Sequence, residues 1–170
     1  MTDAQAPRYG KQEIYALLDA RGVWHEVIEH RAMFSLEDAE EIALPYPTSG
    51  TRNLFLCDKK HREKFYLISA REDSKVDLNA FRRENGLEKL TFATEDELRE
   101  HLGLEAGVTP LGLLNDAEHR VELYLDAFFL AEPGIFSLHP NENTATMFMK
   151  TEDLIAILTE HGCTVHTVEM

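Results

Sequence analysis

Cysteine is nearly absent from this chain, cations are outnumbered, and no apolar run is long enough to cross a bilayer. Cys57 and Cys163 are the two cysteines in 170 residues. They lack CxxC spacing and each lies in an apolar run, which excludes a disulfide framework and reads as two buried thiols. Lys and Arg number 17 against 31 Asp and Glu, a formal charge of −14. That balance excludes a protein that coats a nucleic-acid backbone and argues against DNA as a partner, because such binding draws its affinity from cations that displace counterions. No segment approaches the roughly 20 apolar residues of a membrane helix, so a soluble, cytoplasmic protein without a membrane partner is expected. A hydrophobic share of 44% with no low-complexity tract fits a single domain with a full core. Residues 1–9 have little apolar periodicity and read as a tail, leaving 10–170 as the domain.

The familiar catalytic signatures are missing too. Eight histidines are present, namely His25, His30, His61, His101, His119, His139, His161 and His166. They form no HExxH pattern and no Cys/His ligand spacing, so no metal is expected. There is no P-loop, no GxGxxG and no GxSxG elbow, and the cysteines sit where an activated thiolate is disfavoured. An enzyme built on this chain is left with bound water, backbone donors or groups of the substrate itself.

What is present is a dense alternation of short elements. A helical stripe of Ile14, Leu17, Leu18 and Arg21 ends before Gly22, and Val23 to Glu29 follows as a strand. Ser35 heads a second short helix, with Glu37 and Asp38 in its positive first turn. Arg52 to Asp58 and Lys64 to Ala70 read as a hairpin whose turn carries Lys59, Lys60 and Arg62. Asp77 caps a helix to Asn85, Leu90 to Phe92 is a short strand, and Thr94 with Glu97 has capping-box spacing. Leu113 to Leu114 reads as a strand, as does Val121 to Asp126, where Val121, Leu123 and Leu125 alternate with Glu122, Tyr124 and Asp126 as if one face were buried. Strands flank the His139 loop, a helix runs from near Thr151 to before Gly162, and Thr164 to Val168 closes the chain. Strands dominate the centre and helices interrupt them irregularly, which predicts a mixed α+β class around one sheet.

The stretch from His139 to Met149 carries the most chemistry. Its imidazole, carboxamides and hydroxyls offer many hydrogen bonds and little charge between two strands, which suits recognition of a small polar ligand. Asn and Pro are also ordinary turn residues, so the loop reads equally as a decorated turn.

Three segments taken together resemble one family. Thr51-Arg52-Asn53-Leu54-Phe55-Leu56-Cys57-Asp58-Lys59-Lys60, then Val108-Thr109-Pro110-Leu111-Gly112-Leu113-Leu114-Asn115-Asp116, then His139-Pro140-Asn141-Glu142-Asn143-Thr144 occur in the order and spacing of the YbaK/ProX family. This family contains the editing domain of bacterial prolyl-tRNA synthetases and free-standing relatives, and the resemblance implies a single α+β domain with a central mixed, mostly antiparallel sheet flanked by helices. The chain is most similar to the free-standing Ala-tRNA(Pro) deacylases, the ProXp-ala or PrdX group, over roughly Lys11 to the C-terminus. The resemblance implies a trans-editing hydrolase: water attacks the ester that joins a wrong amino acid to the tRNA 3′ end, assisted by the terminal ribose hydroxyl, with no cofactor, metal or protein nucleophile. It implies as partner a tRNA acceptor end carrying an amino acid, with a prolyl-tRNA synthetase as a docking candidate. Specificity would come from size, since a pocket made for proline cannot exclude alanine and a second, smaller pocket destroys the error.

By the same resemblance Arg52 stands where the family's usual Lys contacts the phosphate at the terminal adenosine, and Asn53 positions substrate. Gly107, Val108 and Thr109 hold the aminoacyl group, His139 orients substrate or water, and Asn143 and Thr144 support it. Lys59, Lys60 and Arg62 are expected to grip tRNA. Two departures stand out. Arg replaces Lys, which keeps the charge but changes donor geometry, and Ala106 stands where a GxxxP pattern has Gly, with Gly107 one residue closer to Pro110. These leave room for two alternatives: a deacylase for Ser, Thr or Cys esters, or a binding module for aminoacyl-tRNA or an amino acid that has lost turnover.

Overall fold

A computed structural model describes residues 8–33, 45–105 and 107–170. The expected helix headed by Ser35, with Glu37 and Asp38, lies outside the described residues, as does Ala106. The elements are α1 (Lys11–Arg21), β1 (His25–Glu29), β2 (Thr51–Asp58), β3 (Phe65–Arg71), α2 (Leu78–Glu84), β4 (Leu90–Phe92) and α3 (Glu95–Leu102). After them come β5 (Val121–Asp126), β6 (Ile135–Leu138), β7 (Ala145–Lys150), α4 (Thr151–Glu160) and β8 (Thr164–Val168). The class is α+β, as the alternation of elements predicts.

Local signals account for most boundaries. α1 stops because Gly22 takes the left-handed conformation at φ 64° and returns its N–H to the last turn. Asp77 accepts from the Asn79 and Ala80 amides to start α2, and the Thr94–Glu97 capping box starts α3. Such caps stabilise a helix by about 1 kcal/mol each.

The sheet departs from expectation. Instead of one, there are two: a five-stranded mixed sheet ordered β4-β2-β3-β5-β8 and a three-stranded antiparallel sheet ordered β1-β7-β6. β2 and β3 form the expected antiparallel hairpin, whereas β3–β5 and β5–β8 run parallel. Side-chain alternation sends Phe55, Cys57, Phe65, Leu67, Leu123 and Leu125 into the main core. Leu56, Tyr66, Ile68, Ala70 and Tyr124 point the other way and pack with Phe81 of α2. β5 is therefore buried on both faces: Tyr124 and Asp126, expected to face water, are 5% and 2% exposed. A central strand flanked by parallel neighbours and covered on each side does not show a solvated face.

Leu113 to Leu114 is not a strand. Pro110–Asn115 forms a 3₁₀ turn with Pro at its start, buried from Pro110 through Leu114. Periodicity cannot separate a short buried strand from a short buried helix, and a Pro that presets φ favours the helical choice.

The two sheets meet at the start of β2 and the end of β6. The Ser137 amide donates to the Ser49 carbonyl at 3.1 Å, and the Thr51 hydroxyl donates to the Ser137 carbonyl at 2.9 Å.

Candidate active site

At that junction lies a cleft of about 290 Å³ lined by Met33, Thr51, Asn53, Glu72, Gly107, Val108, Ser137, Leu138, His139 and Thr146. Segments more than 80 residues apart thus contribute to one concavity. Thr51 and Asn53 arrive on alternate positions of β2, Gly107 and Val108 from the loop before the 3₁₀ turn, and His139 from the β6–β7 connection.

Each wall is held by hydrogen bonds. The Thr109 hydroxyl, 2% exposed, donates to the His139 carbonyl at 2.8 Å and ties the glycine loop to the histidine loop. Gly107 has φ +88°, a conformation that L side chains rarely adopt, so glycine is required by the turn rather than by crowding. Asn53 accepts from the Ser69 hydroxyl at 2.5 Å across the β2–β3 register. Its amide group donates to Thr51 over a longer 3.4 Å, leaving its second N–H for a ligand.

His139 has one defined tautomer. Its Nδ1 lies 2.9 Å from the Ala145 carbonyl, which can only accept, so Nδ1 carries the proton and Nε2 is a bare acceptor. Burial lowers the pKa of His139, the nearby His30 lowers it further, and the Ala145 bond opposes both in part. At neutral pH the ring is uncharged. The His30 ring stands edge-on to it at 6.4 Å between centroids. His30 Nε2 is 2.9 Å from the Thr146 hydroxyl while its Nδ1 faces the Arg31 carbonyl at 2.7 Å. By the same logic the Thr146 hydroxyl donates to His30 and keeps its lone pairs for the cleft.

Not every expected residue enters. Arg52 is exposed and does not line the cleft. Its register partner is Ala70 of the second cluster, so alternation turns it to the face opposite Thr51 and Asn53. Asn143 donates to the Met33 carbonyl at 3.0 Å, and the Thr144 hydroxyl accepts from Lys11 at 2.9 Å. Both line a neighbouring hollow with Tyr9, Gly10 and Asn141 rather than the His139 cleft, and Asn143 touches the cleft lining at the Met33 carbonyl. Tyr9, placed in the tail by its sequence, packs against the main core and donates its amide to Asn115 at 2.7 Å. Lys59, Lys60 and Arg62 sit on the β2–β3 turn, at the far end of β2, about 17 Å of strand from Asn53. Arg62 is paired with Glu97 at 2.5 Å.

Thr51, Glu72, Ser137, Thr146 and Met33 also line the cleft, and His30 stands against Thr146 and His139, although none of the six is among the residues expected from sequence. For Thr51 a signal existed: period-two alternation groups it with Asn53 and sets Arg52 apart. Glu72 is set beside Gly50 at the open end of the β2–β3 hairpin, and Ser137 and Thr146 are brought in by the second sheet, contacts that no local pattern reveals.

Neither thiol is poised for chemistry. Burial raises the pKa of Cys57, and burial together with Asp116 pushes that of Cys163 up to about 11. Among the described residues no group of three or more His, Cys, Asp or Glu is placed to hold a metal ion, and no helix is long and apolar enough to cross a membrane.

Comparison with known proteins decides the family. Residues 30–157 match the model of the aminoacyl-tRNA editing domain. The chain belongs to the aminoacyl-tRNA editing domain family. Within it, the chain is 36% identical to the prolyl-tRNA editing protein ProX of Acetoanaerobium sticklandii, over 94% of this chain and 97% of that one. It is 34% identical to the prolyl-tRNA synthetase associated domain-containing protein 1 of Danio rerio, over 96% and 88%. A crystal structure of a protein proposed as a trans-editing enzyme for prolyl tRNA synthetase shares the fold of this editing-domain chain, with a TM-score of 0.69 at 23% identity, covering 97% of this chain and 99% of that one. The matched span of the editing domain contains every residue that lines the cleft.

Proposed function

We propose that the protein is a trans-editing hydrolase that removes alanine from mischarged tRNA(Pro), with the 3′ end of the tRNA entering the cleft between the two sheets. The carrying observation is the convergence of Asn53, Gly107, Val108 and His139 in one concavity, in a chain 36% identical to a prolyl-tRNA editing protein. The aminoacyl group lies along the Gly107 loop, whose backbone amides hold it, while Met33, Val108 and Leu138 supply apolar surface for a small side chain. Asn53 donates its remaining N–H to the ester end of the substrate. His139 Nε2 accepts a hydrogen bond from the attacking water or the terminal ribose hydroxyl and so fixes its direction.

The reaction divides the ester C–O bond. Water oxygen bonds to the carbonyl carbon, the ribose oxygen leaves with a proton, and free alanine and tRNA result. Orientation and electrostatic support in a partly dry cleft supply the acceleration, which needs no protein nucleophile. Alanine is accepted and proline refused by size, since a ring that fills the synthetase pocket exceeds one built around a methyl group. Docking to a prolyl-tRNA synthetase would bring the editing site to the enzyme that makes the error, in keeping with the synthetase-associated relatives.

The test is hydrolysis of tRNA(Pro) charged in turn with Ala, Ser, Thr and Cys by the purified protein. Faster loss of Ala than of the other three is the expected result. Preference for one of those three would reassign the substrate, and no acceleration on any would overturn the hydrolase reading.

A further inference from the structure

Glu72 is the one formally charged side chain among the described residues that line the cleft. Its amide donates to the Gly50 carbonyl at 3.1 Å, which fixes the backbone just beyond β3 against the start of β2. Its carboxylate lies over Gly50 so closely that a Cβ there would collide with both oxygens. Gly50 is buried and has no side chain, and that lets the carboxylate lie against the strand beside Thr51. Other carboxylates near the sheets are already engaged: Asp126 is paired with Arg71 at 3.1 Å and Glu29 with Lys11 at 2.9 Å. Glu72 takes no hydrogen bond or ion pair from a described residue, and the neutral His139 supplies no counter-charge. A carboxylate without a counter-charge favours a cationic group over an anionic one at the Gly50 end of the cleft.

We infer that Glu72 recognises the α-ammonium of the aminoacyl ester, and that the cleft thereby separates free aminoacyl groups from N-acylated ones. The inference rests on the deacylase reading and adds a specificity-determining residue to it. An ammonium placed against Glu72, beside the acceptor oxygens of Thr51 and Thr146, points the attached carbonyl toward Asn53 and His139. An N-acetyl or peptidyl group removes the charge and adds bulk where the carboxylate stands, so peptidyl-tRNA is refused.

Binding separates this inference from turnover. The probes are 3′-alanylamino-3′-deoxyadenosine, whose amide cannot be hydrolysed at the ester position, and its N-acetyl form, titrated calorimetrically into the wild type and the Glu72→Gln and Glu72→Asp variants. The wild type is expected to prefer the free amine. Glu72→Gln, nearly isosteric, is expected to lose about tenfold in affinity for the amine and little for the acetylated probe, the scale of one charge-assisted hydrogen bond at a partly exposed site. Glu72→Asp retains part of the preference. Equal affinity of the wild type for both probes, or an unchanged preference in Glu72→Gln, overturns the inference. The ester assay judges the hydrolase reading separately, because a protein that shows the preference yet releases no amino acid would keep Glu72 as a recognition residue and lose the catalytic assignment.

Discussion

The hydroxyl of Thr109 donates to the main-chain carbonyl of His139 across 2.8 Å, joining two loops whose residues lie 30 apart in sequence. Both loops line the cleft, so this bond sets the distance between the glycine turn and the imidazole. Replacing Thr109 with Val keeps the shape but leaves a carbonyl without its donor. The expected cost is about 1–3 kcal/mol of stability, read by chemical denaturation. Deacylation by the folded fraction should fall as well, because a shift of the order of 1 Å in a positioning group costs up to about a hundredfold in rate. Thr109→Ser restores the donor and should restore most of the rate.

His139 gives a pH dependence of known sign. Its folded pKa lies below the ordinary histidine value, with burial as the main cause. The neutral, accepting form is therefore complete above about 6.5, the unperturbed value, and is lost only as pH falls through the lower folded value. An acid limb in kcat/KM is expected below that point, and His139→Ala should abolish the limb along with about a hundredfold of the rate, at the low end of the range for a positioned acid–base group. Linkage has the same direction: the unfolded chain binds the proton first, so stability is full above pH 6.5 and declines as pH falls below it. A limb that persists unchanged in His139→Ala belongs to another group.

Arg52 tests how far the family resemblance carries. It lies on the face of β2 turned away from the cleft, so it can meet a phosphate outside the cleft but not the reacting ester. Arg52→Ala is expected to raise KM for charged tRNA several-fold at low salt, with kcat nearly unchanged, and the effect should fade as salt screens it. Arg52→Lys should keep most of the affinity. A large loss of kcat in Arg52→Ala would place the guanidinium at the reacting atoms.

The basic turn makes a weaker, separable prediction. Lys59 and Lys60 sit at the opposite end of β2 from Asn53, and Arg62 is already engaged by Glu97. Their triple replacement by Ala should weaken deacylation at low salt and leave the ratio of Ala to Pro hydrolysis unchanged. Kinetics identical to the wild type would remove this turn from the tRNA footprint.

Much of the fold was legible because its signals are local. Gly22 ends α1, Asp77 and the Thr94–Glu97 pair begin helices, and the β2–β3 hairpin announces itself by two apolar runs around a charged turn. What was not legible depends on partners distant in the chain. Whether the strands form one sheet or two is decided by pairings such as Glu29 with Ala145, and the burial of Tyr124 by Phe81 packed on it at 5.1 Å. The site divides in the same way. Asn53, Gly107, Val108 and His139 carry recognisable chemistry in recognisable motifs, while Glu72, Ser137 and Thr146 are ordinary residues until two sheets meet. Arg52 shows the opposite case, a motif residue that strand alternation turns away from the cleft.

The central claim is that this cleft destroys alanyl and spares prolyl esters, and one measurement meets it directly: single-turnover hydrolysis of Ala-tRNA(Pro) and Pro-tRNA(Pro) by the purified protein at neutral pH. Loss of Ala at least tenfold faster than loss of Pro is the result predicted, on the scale by which one small pocket separates similar side chains, roughly 10–200-fold. Equal rates for the two esters, or rates no faster than in buffer alone, would contradict it.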